Sequence, residues 1–289
     1  MPKIAANGLE FEYDEFGKRS NPPLLLVMGL GAQMITWDDE FCQAIAGKGF
    51  RVIRYDNRDI GLSSHLDHHG MPDLAGVTSG EAEPPYTLDD MAADGIHLLQ
   101  ALGIDKAHVV GASMGGMIVQ LMAINHPQNV LSLTSIMSTT GRGATPPTDE
   151  AMEALTATPQ FEREAYIDQA LKAGRVFAGP SFDEAKARDR AARSYDRSFH
   201  PIGFARQYAA ILAAPSRVEA LARLNIPTLV IHGKDDTLVP PDNGLMTHQA
   251  VPDAELMLLD GMGHNIPENH WDTVATAIAA NAAKARVTA

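Results

Sequence analysis

His108-Val109-Val110-Gly111-Ala112-Ser113-Met114-Gly115-Gly116-Met117-Ile118-Val119-Gln120 is the stretch on which the fold turns. Val109 and Val110 are β-branched and suit a buried strand, and residues 117–124 suit a packed helix. Between them, Gly111-Ala112-Ser113-Met114-Gly115 fits G-x-S-x-G, a tight strand-to-helix turn that projects a serine hydroxyl away from the backbone. Such a turn strains the serine and crowds its neighbours, which accounts for the small residues Gly111, Ala112, Gly115 and Gly116. The helix behind it aims backbone N–H groups at any anion forming near the Ser113 oxygen. A glycine-bearing β–α turn with a chance serine would satisfy the same five positions, so the surrounding chain has to discriminate.

Upstream, Ile4 and Leu9-Glu10-Phe11-Glu12-Tyr13 alternate about Asn7-Gly8, a hairpin over residues 3–15. Leu24-Leu25-Leu26-Val27 is apolar on both faces, as a central parallel strand should be. A helix over 37–46 and a strand over 50–55 follow. Residues 64–86 read as an irregular loop rich in His, Asp, Gly and Pro. Thr87 caps a helix whose apolar residues share one face, and Gly103 ends it. After the elbow comes a strand over 130–137. This strand–helix alternation predicts an α/β fold, a mostly parallel sheet with helices on both faces.

From Gly141 to Arg223 the pattern holds no convincing strand. Helices are expected at 149–156, 161–173, 183–195 and 202–213, broken at Pro159, Gly174, Gly179-Pro180 and Pro201. Roughly 80 helical residues inserted in an α/β alternation make a cap. The expected organisation is a core over 1–141, a helical cap over 142–223 and the rest of the core over 224–289. The sheet resumes with a strand over 227–232. A helix over 241–250, a strand over 254–259 and a closing helix over 268–285 complete it.

Composition narrows the class. The formal charge of −13 over 289 residues argues against non-specific binding to nucleic acid or an anionic membrane. A single cysteine, Cys42, makes no internal disulfide and no multi-cysteine metal site, which fits a reducing compartment. No signal peptide or transmembrane run is visible, so a cytoplasmic protein is expected. The sequence carries no signal for an oligomeric state.

A serine hydroxyl needs a base. Of the eleven histidines, His264 follows the last strand in a Gly-Met-Gly-His turn, at the carboxyl edge of the sheet where Ser113 also lies. The base needs a carboxylate to fix its tautomer. Asp235 and Asp236 both follow strand 227–232, and the spacing from Gly233 favours Asp236. For the oxyanion, one donor is expected from Met114 N–H and a second from Leu30 N–H, between Gly29 and Gly31. No cofactor and no metal is expected.

Together these residues resemble an α/β-hydrolase-fold serine hydrolase, with the order Ser, Asp, His that this resemblance implies. Asp56-Asn57-Arg58-Asp59-Ile60-Gly61-Leu62-Ser63 resembles the family's D-x-R-G-x-G-x-S loop, with Asp59 in place of a glycine. Val27-Met28-Gly29 departs from the common His-Gly start of the oxyanion loop. That departure and Ile53-Arg54-Tyr55-Asp56 resemble the aclacinomycin methylesterase branch. The resemblance implies hydrolysis of small esters through an acyl-Ser113 intermediate, with a small-molecule ester as partner. A lactonase, C–C bond hydrolase or perhydrolase on the same triad, or a ligand receptor on a hydrolase scaffold, are the alternatives. Ser113 argues against the dehalogenases and epoxide hydrolases that resemble this fold but carry Asp there. His65-Leu66-Asp67-His68 approaches the zinc pattern H-x-H-x-D-H, with Ser63 where the first histidine would be. Phe177, Phe182, Phe199, Phe204 and Tyr208 are candidates for an apolar wall in the cap.

Overall fold

The computed structural model describes residues 1–285; residues 286–289 of the expected second core segment lie outside the described residues. Among the described residues eight strands form one sheet: β1 (Lys3–Ala6), β2 (Leu9–Phe16), β3 (Pro23–Val27), β4 (Arg51–Tyr55), β5 (Ala107–Ala112), β6 (Val130–Ile136), β7 (Thr228–Gly233) and β8 (Glu255–Leu259). Their order is β1-β2-β4-β3-β5-β6-β7-β8. The β1–β2 hairpin turns through Asn7 (φ 49°) and Gly8 (φ 74°), the left-handed pair that a two-residue hairpin favours. β2 runs antiparallel to β4, and every later pairing is parallel.

β3 shows why the centre of the sheet is apolar on both faces. Leu25 and Val27 pack with α3 (Leu88–Ala101) and α4 (Met114–Asn125). Leu24 and Leu26 pack on the other side with α1 (Asp39–Gly47) and α11 (Trp271–Ala283). α3 starts at a capping box, Thr87 accepting from Asp90 N–H while the Asp90 carboxylate accepts from Thr87 N–H. α10 (Asp242–Ala250) links β7 to β8.

Between β6 and β7 lie α5 (Asp149–Thr156), α6 (Arg163–Ala178), α7 (Glu184–Arg197), α8 (Pro201–Ala213) and the short α9 (Val218–Leu221), with no strand over 142–222 among the described residues. The insertion leaves and re-enters the core at one place. Arg217 N–H donates to Thr140 O at 2.8 Å, and a Cβ on Gly141 (φ 99°) would lie 2.3 Å from Pro215 O.

Two local expectations are corrected. Residues 64–86 are not wholly irregular: they contain α2 (Leu74–Ser79), whose N-cap Asp73 accepts from Gly76 N–H. Gly174 does not break its helix, since α6 runs through it to Ala178. The glycine makes room: a Cβ there would sit 3.0 Å from the Phe182 ring.

The inserted helices are seated on the core by buried polar contacts. The Arg206 guanidinium on α8 grips the Asp59 carboxylate through Nε at 2.8 Å and Nη2 at 2.7 Å, and both residues are fully buried. Burial alone would raise the Asp59 pKa. Arg206, the Leu66 N–H and the Tyr86 hydroxyl more than offset that and lower it. Asp59 holds φ 69°, a left-handed conformation that explains why glycine is the usual residue in the loop it resembles.

Candidate active site

Ser113 lies between β5 and α4 with φ 56° and ψ −122°, a conformation costly for any residue with a side chain. The turn is held by contacts that forbid a Cβ nearby. On Gly111 one would lie 2.0 Å from Gly115 O, and on Gly115 2.0 Å from Val27 O. Ser113 N–H donates to Ile136 O at 2.9 Å, and Ser138 Oγ donates to Ser113 O at 2.8 Å. The small residues of the motif therefore follow from the approach of β3 and β6 to the elbow as well as from strain.

The loop after β3 crosses over the serine: a Cβ on Gly29 would be 3.4 Å from Ser113 Oγ. Leu30 lines the same cavity as Ser113, and Met114, wholly buried, opens α4 directly after it. Among the described residues neither the Leu30 nor the Met114 N–H donates to a protein acceptor. Gly31 N–H, by contrast, donates to Gln207 Oε1 at 2.9 Å, so α8 fixes the loop just beyond Leu30.

Asp236 and His264 come together from the loops after β7 and β8. His264 Nδ1 lies 2.7 Å from Asp236 Oδ2. Asp236 Oδ1 accepts Leu238 N–H at 3.0 Å and Val239 N–H at 2.8 Å. Burial pushes this carboxyl up, but the charge of His264, hydrogen bonds from His232 and His264 and the Val239 N–H bring it down to about 2. Asp235 is exposed and its carboxylate accepts Gly261 N–H instead. Ser113 and His264 share the wall of one cavity without a hydrogen bond between them. Cys42, the other candidate nucleophile by chemistry, is buried, and burial pushes its thiol up to about 12.

The cavity has a volume of about 820 Å³ and a mostly apolar lining. Phe177, Phe204 and Tyr208 contribute to it from the inserted helices, and Phe199 from the link between α7 and α8. Phe182 does not; it packs inside the insertion and faces a smaller neighbouring cavity.

The histidine-rich segment is rearranged relative to the zinc pattern. Ser63 Oγ donates to Asp56 O at 2.6 Å, and His68 packs against His69. His65 stacks on His200 at 3.8 Å, and His200 Nε2 lies 3.1 Å from Asp67 Oδ1. Arg206 Nη2 sits 3.0 Å from that oxygen and 3.1 Å from that nitrogen. The cation that these ligand atoms face is a guanidinium, and a metal ion would have to lie beside it.

Some residues of the site escape a sequence reading. His232 is fully buried at the end of β7, with Nε2 2.7 Å from Val239 O and 3.5 Å from Asp236 Oδ2. Its place immediately before Gly233 is a usable signal. Gln207 stands next to Arg206 in the otherwise apolar second half of α8, and two polar residues in such a helix also mark a buried contact.

Comparison with known proteins agrees with this fold. Residues 22–270 match the alpha/beta hydrolase fold family. A rhodomycin D methylesterase of Streptomyces peucetius is 28% identical over 94% of each chain. A 2-hydroxymuconate semialdehyde hydrolase of Pseudomonas sp. strain CF600 is 28% identical over 91% of this chain and 86% of its own. Among solved structures, the enol-lactonase of Burkholderia xenovorans superposes with a TM-score of 0.75 at 24% identity, over 98% of this chain and all of its own. A family match over most of its length, a mostly parallel sheet flanked by helices and a strained serine at the β5–α4 turn lead to one placement: the chain belongs to the alpha/beta hydrolase fold family.

Proposed function

We propose that this protein hydrolyses small carboxylic esters through an acyl-Ser113 intermediate. The observation that carries this reading is the Asp236–His264 pair, 2.7 Å apart, with His264 on the wall of the same cavity as the strained Ser113. Asp236, ionised and held by two backbone N–H groups, orients His264 and stabilises its imidazolium. His264 takes the Ser113 proton as Oγ attacks the ester carbonyl. The Leu30 and Met114 N–H groups, free of protein acceptors, receive the oxyanion of the tetrahedral intermediate. His264 then protonates the departing alcohol. A water, deprotonated by His264, attacks the acyl carbon, and Ser113 leaves with that proton as the acid is released.

Residues 142–223 serve in this proposal as a cap that shapes the apolar pocket. The methylesterase relatives make a methyl ester the first substrate to try. The 2-hydroxymuconate semialdehyde hydrolase relative supports a second reading, C–C bond cleavage by the same three residues. No helix is long and apolar enough to cross a membrane among the described residues, and a cytoplasmic site of action is part of the proposal.

The test is a panel of methyl and longer alkyl esters, lactones and vinylogous diketones, run on the wild type and Ser113→Ala. Ester turnover that is abolished in Ser113→Ala, blocked by a serine-directed phosphonate and retained in EDTA is the expected result. Turnover surviving in Ser113→Ala, or lost on chelation and restored by zinc, overturns it.

A further inference from the structure

We infer that the C-terminal turn of α6 positions the acid and base loops of the site, with Thr237 as the positioning residue that fastens the acid loop to it and the His264 N–H fastening the base loop; this rests on the triad proposed above. The last carbonyls of a helix have no partner within it and need one elsewhere. In α6 two successive ones are taken by the two catalytic loops. Val176 O accepts the Thr237 hydroxyl at 2.8 Å, and Phe177 O accepts the His264 N–H at 2.6 Å. Thr237 directly follows Asp236, and the second donor is the backbone of His264 itself. Thr237 is held from a second side, its carbonyl accepting Thr148 N–H at 3.0 Å from the start of α5.

The contact between α6 and the base loop is backbone against backbone. A Cβ on Gly263 would lie 2.4 Å from Phe177 O and 2.6 Å from Ala178 C. This explains the glycine immediately before His264 without any appeal to unusual dihedral angles. The same helix lines the cavity with Tyr166, Ala170, Ala173 and Phe177, residues spaced three or four apart and so on one face. A ligand packed against that face presses on the element whose end holds Asp236 and His264. The inserted helices thus set the catalytic geometry as well as the shape of the pocket.

Thr237→Val removes the hydroxyl and keeps the shape; Thr237→Ser restores a donor. Three measurements are made on each: steady-state kinetics on the best ester, the pH profile of kcat/KM, and amide hydrogen exchange of the peptide that contains His264. In Thr237→Val, kcat falls about five- to tenfold, the scale of one hydrogen bond expressed as rate. KM is unchanged, the acid limb of the profile moves, and the His264 peptide exchanges faster, while Thr237→Ser returns all of these toward wild type. Wild-type kcat and wild-type exchange in Thr237→Val overturn the inference. So does faster exchange throughout the protein that Thr237→Ser does not rescue, since that is loss of stability alone. Failure of the functional reading is separately visible as ester turnover that survives in Ser113→Ala or is absent from the wild type. In either case the exchange measurement still decides whether α6 holds the loop.

Discussion

Asp236 is 4% exposed and accepts two backbone N–H groups besides His264, whereas Asp235 is exposed and accepts one from Gly261. The two are chemically alike, and their environments decide. Asp236→Asn is expected to lower kcat by about 10⁴-fold, as in the serine-protease case, with Asp235→Asn close to wild type; kinetics on one ester compares them. Because the Asp236 carboxyl is held at about 2, it stays ionised above roughly pH 4. Ser113 carries a different consequence. At φ 56° and ψ −122° it occupies a conformation that glycine tolerates. Ser113→Gly is therefore expected to abolish turnover and to raise stability by roughly 1 kcal/mol, with Ser113→Ala as the strained control; thermal unfolding of the three proteins measures it. Ser113, Asp236 and His264 were all legible as neighbours because each follows a strand at the same sheet edge. The preference for Asp236 over Asp235 rested on the spacing from Gly233 alone, because beyond that glycine the chain has no period from which burial can be read.

Elements were legible in proportion to their length and regularity. The strands and long helices announce themselves through an unbroken apolar run, as in β3, or through apolar periodicity, as in α3. α2 has only six residues, under two turns, and offers no period to detect. Gly174 misleads because its glycine answers to a phenyl ring rather than to a turn. Asp59 departs from the loop pattern for a reason that lies in a distant element, Arg206 on α8. A buried charge whose partner is removed is costly, so Asp59→Gly is expected to destabilise the protein by about 3–5 kcal/mol even though glycine suits the backbone there. The double replacement Asp59→Gly with Arg206→Met removes both charges and should recover much of that loss. Urea unfolding of the two variants beside the wild type gives the comparison.

At the scale of the whole molecule, acid tolerance is limited in part by His108 inside the sheet. It is 6% exposed, shares a 2.8 Å hydrogen bond with Ser132 Oγ, and burial pushes its imidazole down to about 4. The unfolded chain protonates this group near 6.5. Between about pH 6.5 and 4 the unfolded state therefore binds the extra proton, and stability falls as the pH falls. The contribution is complete above that window and amounts to up to about 3 kcal/mol. His108→Gln is expected to flatten Tm against pH in that interval. Asp236, with its depressed pKa, acts lower, losing its contribution as the pH falls from about 4 toward 2. The place where the helical insertion leaves and rejoins the core, Thr140 bonded to Arg217, has a consequence for how such a protein diversifies. Two chain ends already in contact make the insertion a cassette: another helical segment of different length could be spliced between them without displacing a strand. The exchange is not free of grammar, however. A replacement would have to present two backbone acceptors where Val176 and Phe177 now stand, so the insertions this core accepts are those that end a helix at that point.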